Sequence, residues 1–190
     1  DILRDVVHKT LGDIVFTVYA IVDENEFGIV STKVLKSMVK KWDKNEDDIF
    51  NEAIKNTYYL TPPRIYKWEG VLCDESYAGE SFMNDEDICD LDKSFSGNIL
   101  STTRKTNGAV AVFLPGVAER IAELLDSDFY MVFTSIHEVM IHSTGSGVDP
   151  KDLKLVLQDI LRKVTPSSDY LTEKIYKYNR RTHKFECVTD

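Results

Sequence analysis

Residues 127–143 read SDFYMVFTSIHEVMIHS. Two apolar runs rich in β-branched and aromatic residues, 129–133 and 136–141, flank Thr134-Ser135, a pattern that predicts two strands with a bend between them. The same stretch carries His137, Glu138 and His142, the one constellation in the chain that looks like an active site. A metalloprotease helix needs two His four apart, so that both lie on one helix face and grip one ion. Here they are five apart. On a helix the second would be turned by about 140°, and on a strand an odd spacing puts the two on opposite faces. Glu138 and His142 share a strand face, but four residues of strand span roughly 13 Å. No single ion joins these groups, and we expect no metal and no cofactor. His137 remains the one candidate general base, with Glu138 or Ser135 as its partner. Adjacent strand residues point opposite ways, so Glu138 is not expected to orient His137, whereas Ser135, two residues before it, shares its face. No GxSxG nucleophile elbow accompanies that serine.

Outward from this core, Asp149-Pro150 is a helix start, with an Asp cap and Pro at the first helical position. Leu153, Val156, Leu157, Ile160, Leu161 and Val164 then form the best helical stripe in the chain, and Pro166 ends it. Residues 174–178 and 184–188 predict a closing hairpin. Upstream, Pro115-Gly116 opens a helix presenting Val117, Ile121, Leu124 and Leu125. Residues 99–105 and 109–114 flank Thr106-Asn107-Gly108, and Asn-Gly between two β-type runs is the strongest hairpin signal here. Asn45 is expected to cap a helix with Glu46, Asp47 and Asp48 in its first turn and Ile49, Phe50, Ala53, Ile54 and Thr57 on its buried face; Pro62-Pro63 stops it. Residues 64–68 follow as a strand. A preceding helix, capped by Ser31 or Thr32, would carry Val34, Leu35, Met38, Val39 and Trp42. Residues 14–22, nearly all apolar, read as one strand covered on both faces, turned by DENEFG at 23–28 into a partner around Ile29-Val30. Residues 1–11 read as a short helix with Ile2, Leu3, Val6 and Val7 on one face.

Residues 69–97 differ in kind: Asp74, Glu75, Glu80, Asp85, Glu86, Asp87, Asp90 and Asp92 crowd a segment poor in periodic apolar positions. We expect an exposed acidic excursion, partly helical. Its spacing is not that of a calcium loop, which needs alternating oxygen ligands, a central Gly and a terminal Glu. The loop STGSG at 143–147 lacks the glycine fingerprints of phosphate-binding loops, and Asp149 puts negative charge where an anion would sit. Tyr58, Tyr59, Tyr66 and Trp68 flank the acidic segment, and where exposed they would form a partner surface.

Composition narrows the classes further. The 190 residues carry a net charge of −9 with 43% hydrophobic residues, enough apolar matter for an ordinary core and the wrong sign for a phosphate backbone. Arg180, Arg181, His183 and Lys184 are placed at a hairpin turn, and Lys36, Lys40, Lys41 and Lys44 on a solvated helix side, so no nucleic-acid partner is expected. Nor is a membrane partner, since the longest apolar run is about half what a bilayer crossing needs. Three cysteines without a regular framework point to a reducing, cytoplasmic setting. The start at Asp1, with an apolar face already under way, suggests the C-terminal part of a longer protein.

With these elements in place, the chain resembles a family of cytoplasmic proteins from gut-dwelling Gram-positive anaerobes known only as a domain of unknown function. The resemblance rests on VYAIVDENEFGIVSTKVL, DIFNEAIKNT, NGAVAVFLPGVAERIAELLDSDFYMVFTSIHEVMI and the Asp149-Pro150 helix with its Tyr-rich hairpin. It implies a bacterial cytoplasmic domain and brings no catalytic residue with it. The expected architecture is a single α+β domain over residues 1–190, its mostly antiparallel sheet packed against several helices. The expected function is a non-enzymatic binding or regulatory module, with a protein or peptide partner or self-association along a sheet edge; the alternative is a hydrolase using His137 with Glu138 or Ser135.

Overall fold

A computed structural model describes residues 2–26, 28–74 and 76–189. Phe27 of the expected turn, Glu75 of the acidic segment, Asp1, Asp190 and the Ile2 side chain lie outside the described residues. The protein is α+β and folds as two compact units, residues 1–57 and 58–190. The division falls inside a helix, where no Pro, Gly or Ser-rich linker marks it.

In the first unit, a 3-10 helix (Ile2–Asp5) leads to strands β1 (His8–Leu11) and β2 (Ile14–Thr17), paired antiparallel. Strands β3 (Tyr19–Asn25) and β4 (Gly28–Lys33) form a second antiparallel ribbon, and helices α1 (Lys36–Lys41) and α2 (Glu46–Leu60) follow. Two expectations change here. The helix expected over 1–11 is a single 3-10 turn followed by a strand. The apolar run 14–22 is two strands broken at Val18, with Tyr19, Ile21 and Val22 exposed rather than covered on both faces. The break has a physical reason. Val7 N–H donates to the Val34 carbonyl (2.9 Å), Val34 N–H to Val18 (2.8 Å) and Val18 N–H to Val7 (3.4 Å). These three valines tie three passes of the chain together and are buried with Val39 and Phe50. Ser31 and Thr32 lie in β4 rather than capping a helix. Asn45 does cap α2, its Oδ1 accepting from Asp48 N–H at 2.8 Å, and Ile49, Ala53 and Ile54 pack on that core.

The second unit is built on a six-stranded, wholly antiparallel sheet. Its elements in chain order are β5 (Pro63–Tyr66), α3 (Trp68–Cys73), β6 (Asn98–Thr102), α4 (Val117–Leu125), β7 (Phe129–Val132), β8 (Val139–Ser143), α5 (Pro150–Lys163), β9 (Tyr176–Asn179) and β10 (Lys184–Cys187). The spatial order is β10-β9-β7-β8-β6-β5, with Pro63 opening an edge strand, where its missing N–H is harmless. Asp149 caps α5, accepting from Lys151 N–H at 2.8 Å, and Leu153, Leu157 and Leu161 are buried as the stripe predicted. They pack on Val132, Met140, Ile99 and Tyr66, which are successive cross-strand partners on β7, β8, β6 and β5. Helix α4 buries Val117, Ile121 and Leu125, with Leu124 half-buried.

The expected hairpin at Thr106-Asn107-Gly108 does not form. Asn107 takes the left-handed conformation (φ 54°) that the Asn-Gly signal anticipates, but it starts a 3-10 helix, Gly108–Phe113. The run GAVAVF is small and apolar, and Ala109, Ala111 and Val112 are fully buried. A sheet edge would expose one face of such a segment, whereas the helical turn buries it against β6. Residues 69–97 hold Asp74, Asp85, Glu86, Asp90 and Asp92 in solvent, yet they also insert Phe82, Cys89 and Leu91 into the core. Arg120 fastens the segment, donating to the Phe82 carbonyl at 2.9 Å and the Asn84 carbonyl at 3.2 Å.

Candidate functional site

The expected strand over 136–141 begins only at Val139. Residues 133–138 are a bent connection between β7 and β8, long enough for a network of its own. Ser135 Oγ accepts from His137 N–H (2.9 Å) and donates to Glu138 Oε1 (2.9 Å). Thr134 Oγ1 donates to the same oxygen at 2.7 Å. His137 Nδ1 accepts from Asn107 N–H at 3.0 Å, which puts the ring proton of the neutral form on Nε2, 3.5 Å from Asp169 Oδ2. The His137 carbonyl accepts from Ser101 Oγ at 2.7 Å. His137 is therefore a clasp between the bend, the 3-10 helix start and the segment after α5. Its side chain does not meet Glu138, as expected, and Ser135 turns its hydroxyl to Glu138, not to the ring.

Glu138 and His142 lie on the same side of the sheet as Met140, and both line a pocket of about 750 Å³ in the second unit. Its floor is the cross-strand row Tyr66, Ile99, Met140 and Val132, and one wall is α5. The α5 stripe is wider than the sheet can cover. Leu153, Leu157 and Leu161 are buried, while Val156, Ile160 and Val164, one turn apart along the helix, face the pocket mouth, with Val156 56% and Val164 75% exposed. Trp68, Val71 and Phe95 complete an apolar rim. A pocket of this size and composition falls within the range for small ligands.

The polar groups in the wall are few and mostly committed. Tyr66 hydroxyl donates to the Thr102 carbonyl at 2.9 Å, Ser101 Oγ to His137 and Thr165 Oγ1 to the Thr134 carbonyl at 2.9 Å. The Lys105 ammonium sits over the Tyr66 ring, 5.3 Å from its centre. Burial pushes the His142 pKa below its ordinary value, against the pull of the Phe95 carbonyl and Asp92. Among the described residues its buried Nδ1 has no hydrogen-bond partner, and it lies against Gly97, where a Cβ would stand 2.7 Å from it. Gly97 (φ +73°) lets the backbone run along this ring edge. Glu138 has both its hydroxyl donors on Oε1, and among the described residues no cation pairs with it.

Among the described residues no three His, Cys, Asp or Glu side chains gather as metal ligands would, and no helix is long and apolar enough to cross a membrane. The basic stretch at 180–184 does sit at a hairpin turn, with Arg180 paired to Asp126 at 2.6 Å. Sequence reasoning singled out Glu138 and His142 but missed Lys105, Phe95 and the Asp169 partner of His137. The signal for the pocket was the α5 stripe, six apolar positions wide where a helix packed on one sheet face buries three.

Residues 1–180 match the family described as a family of unknown function (DUF5688). No curated protein and no solved structure matches the chain.

Proposed function

Because the chain belongs to the DUF5688 family, whose function is unknown, we propose its function from its own geometry: a non-enzymatic binding module that takes a small, mainly apolar ligand into the pocket of the second unit. The observation carrying this reading is the surplus apolar face of α5. Val156, Ile160 and Val164 present an apolar line to an open cavity, at a hydrophobic cost of about 25 cal/mol per Å² left in water. A ligand that fills the cavity recovers that free energy. An apolar side chain presented by a peptide or protein partner would meet the same surface. Three free thiols, Cys73, Cys89 and Cys187, support a reducing, cytoplasmic setting.

The alternative, a hydrolase using His137 with Glu138 or Ser135, has less geometry behind it. The acceptor nitrogen of His137 is occupied by Asn107 N–H, and the Ser135 hydroxyl is spent on Glu138. A general base needs a free acceptor within reach of the proton it takes.

Calorimetric titration of the 190-residue chain with 1-octanol tests the binding reading. Saturable binding that disappears in Val156→Trp, a substitution that fills the mouth from a half-exposed position, is the expected result. Absence of binding, or turnover in a hydrolase screen abolished by His137→Ala, overturns it.

A further inference from the structure

Among the described residues that line the pocket, Glu138 is the one acidic side chain, in a wall that is mainly apolar. Two hydroxyls of the bend at 133–138, those of Thr134 and Ser135, hold its Oε1. A carboxylate beside apolar surface is costly unless its second oxygen finds a donor. Among the described residues neither an ion pair nor a further hydrogen bond reaches Glu138, so its second oxygen is open to water or to a ligand's donor at the pocket wall. The hydroxyls of Tyr66, Ser101 and Thr165 all donate elsewhere, so they compete little for a ligand's polar end.

Resting on the binding reading above, we propose that the ligand is an amphipathic amine, with its ammonium group on Glu138 and its apolar body along the α5 stripe. Two features favour a cation over an anion. The carboxylate is half-buried in the wall, where a charge-assisted hydrogen bond is stronger than in water. The chain carries a net charge of −9, which draws cations towards it. Lys105 is the one group that would select an anion, but it is exposed and its charge acts through water, where attraction is weak.

Three probes with the same chain length and different ends separate this inference from the binding reading: octylamine, 1-octanol and octanoate, titrated calorimetrically at pH 7. Octylamine is protonated there, as the Lys side chain is. The expected order is octylamine tightest, by about tenfold or more over octanol, the worth of one hydrogen bond to a charged group, with octanoate weakest. Glu138→Gln keeps an oxygen for the two hydroxyls and removes the charge. It should bring octylamine down to the affinity of octanol while octanol binding persists, which also shows that the variant is folded. Octanoate binding as tightly as octylamine, or an amine preference that survives Glu138→Gln, overturns the amine assignment and leaves the pocket standing. Failure of all three probes overturns the pocket and the amine together. If the variant does not fold, the order of the three probes on the unaltered chain decides.

Discussion

Gly108→Ala is a severe perturbation at a position where the backbone angles alone would tolerate any residue. A Cβ at Gly108 would lie 2.0 Å from Ser101 Oγ, 2.6 Å from the His137 carbonyl oxygen and 2.9 Å from Thr102 N. Two of these neighbours are backbone atoms, one of them in strand β6, paired on both sides in the sheet. The third is the hydroxyl that joins β6 to the His137 bend at 2.7 Å. Forcing a methyl into a packed site costs about 1–3 kcal/mol, and losing that hydrogen bond adds about 1 kcal/mol, for about 3 kcal/mol in all. Gly145→Ala is the control, because its nearest neighbour is Ser143 Oγ at 3.3 Å and its φ is not positive. Urea unfolding should be followed by near-ultraviolet dichroism of the tyrosines of the second unit. The midpoint for Gly108→Ala should fall by more than 1 M if the slope is about 2 kcal/mol per M, and the control should stay within about 0.5 kcal/mol of the unaltered chain. An unchanged midpoint for Gly108→Ala would refute the claim that the 3-10 helix is pressed onto β6 at this residue.

Other outcomes follow from single groups. The His142 pKa is depressed by burial from its ordinary 6.5, so its contribution is present above pH 6.5 and is lost as pH falls towards the folded-state value; His142→Leu should flatten the fall in unfolding free energy between pH 7 and 5, and an unchanged difference curve counts against it. Burial pushes the Cys89 thiol up to about 11 from 9.0, which lowers its thiolate fraction at pH 8 by about a hundredfold. Iodoacetamide should therefore label the exposed Cys73 and Cys187 first, and equal labelling of all three by mass spectrometry would contradict the burial. Asp149→Ala removes the cap on Lys151 N–H and should lower stability by about 1 kcal/mol in thermal unfolding, with Asp149→Asn recovering most of it.

The legible parts of the chain were those in which one local rule decides. Asp149-Pro150 and Asn45 announce helix starts because a side-chain oxygen next to free N–H groups is a local matter, and both caps are made. The leucine stripe of α5 and the valine and isoleucine of α4 are legible for the same reason. Apolar runs were read less well, because composition does not say where a strand breaks. The run 14–22 splits at Val18 since Val18 N–H and its carbonyl bond to Val7 and Val34, partners 11 and 16 residues away along the chain. Asn107-Gly108 misled for a different reason. Asn does adopt positive φ there, but a hairpin also needs both flanking runs to remain in the sheet, and GAVAVF is too small and too apolar on every side to sit half in water.

The site itself was legible only in its members. The alternation rule placed Glu138 and His142 on one face, and they do flank Met140 in one pocket wall. What sequence could not supply was the identity of His137, because its role is fixed by Asn107, 30 residues before it, and Asp169, 32 residues after it. A histidine whose Nδ1 accepts a backbone N–H and whose Nε2 faces a carboxylate has the orientation of a catalytic imidazole, but the nitrogen that would take the substrate's proton is already in use. The same bend leaves one carboxylate, Glu138, turned into the cavity with its hydroxyl donors on one oxygen. On the amine reading proposed above, the acid beside the histidine is the group that acts, by holding a donor while His137 holds the fold together.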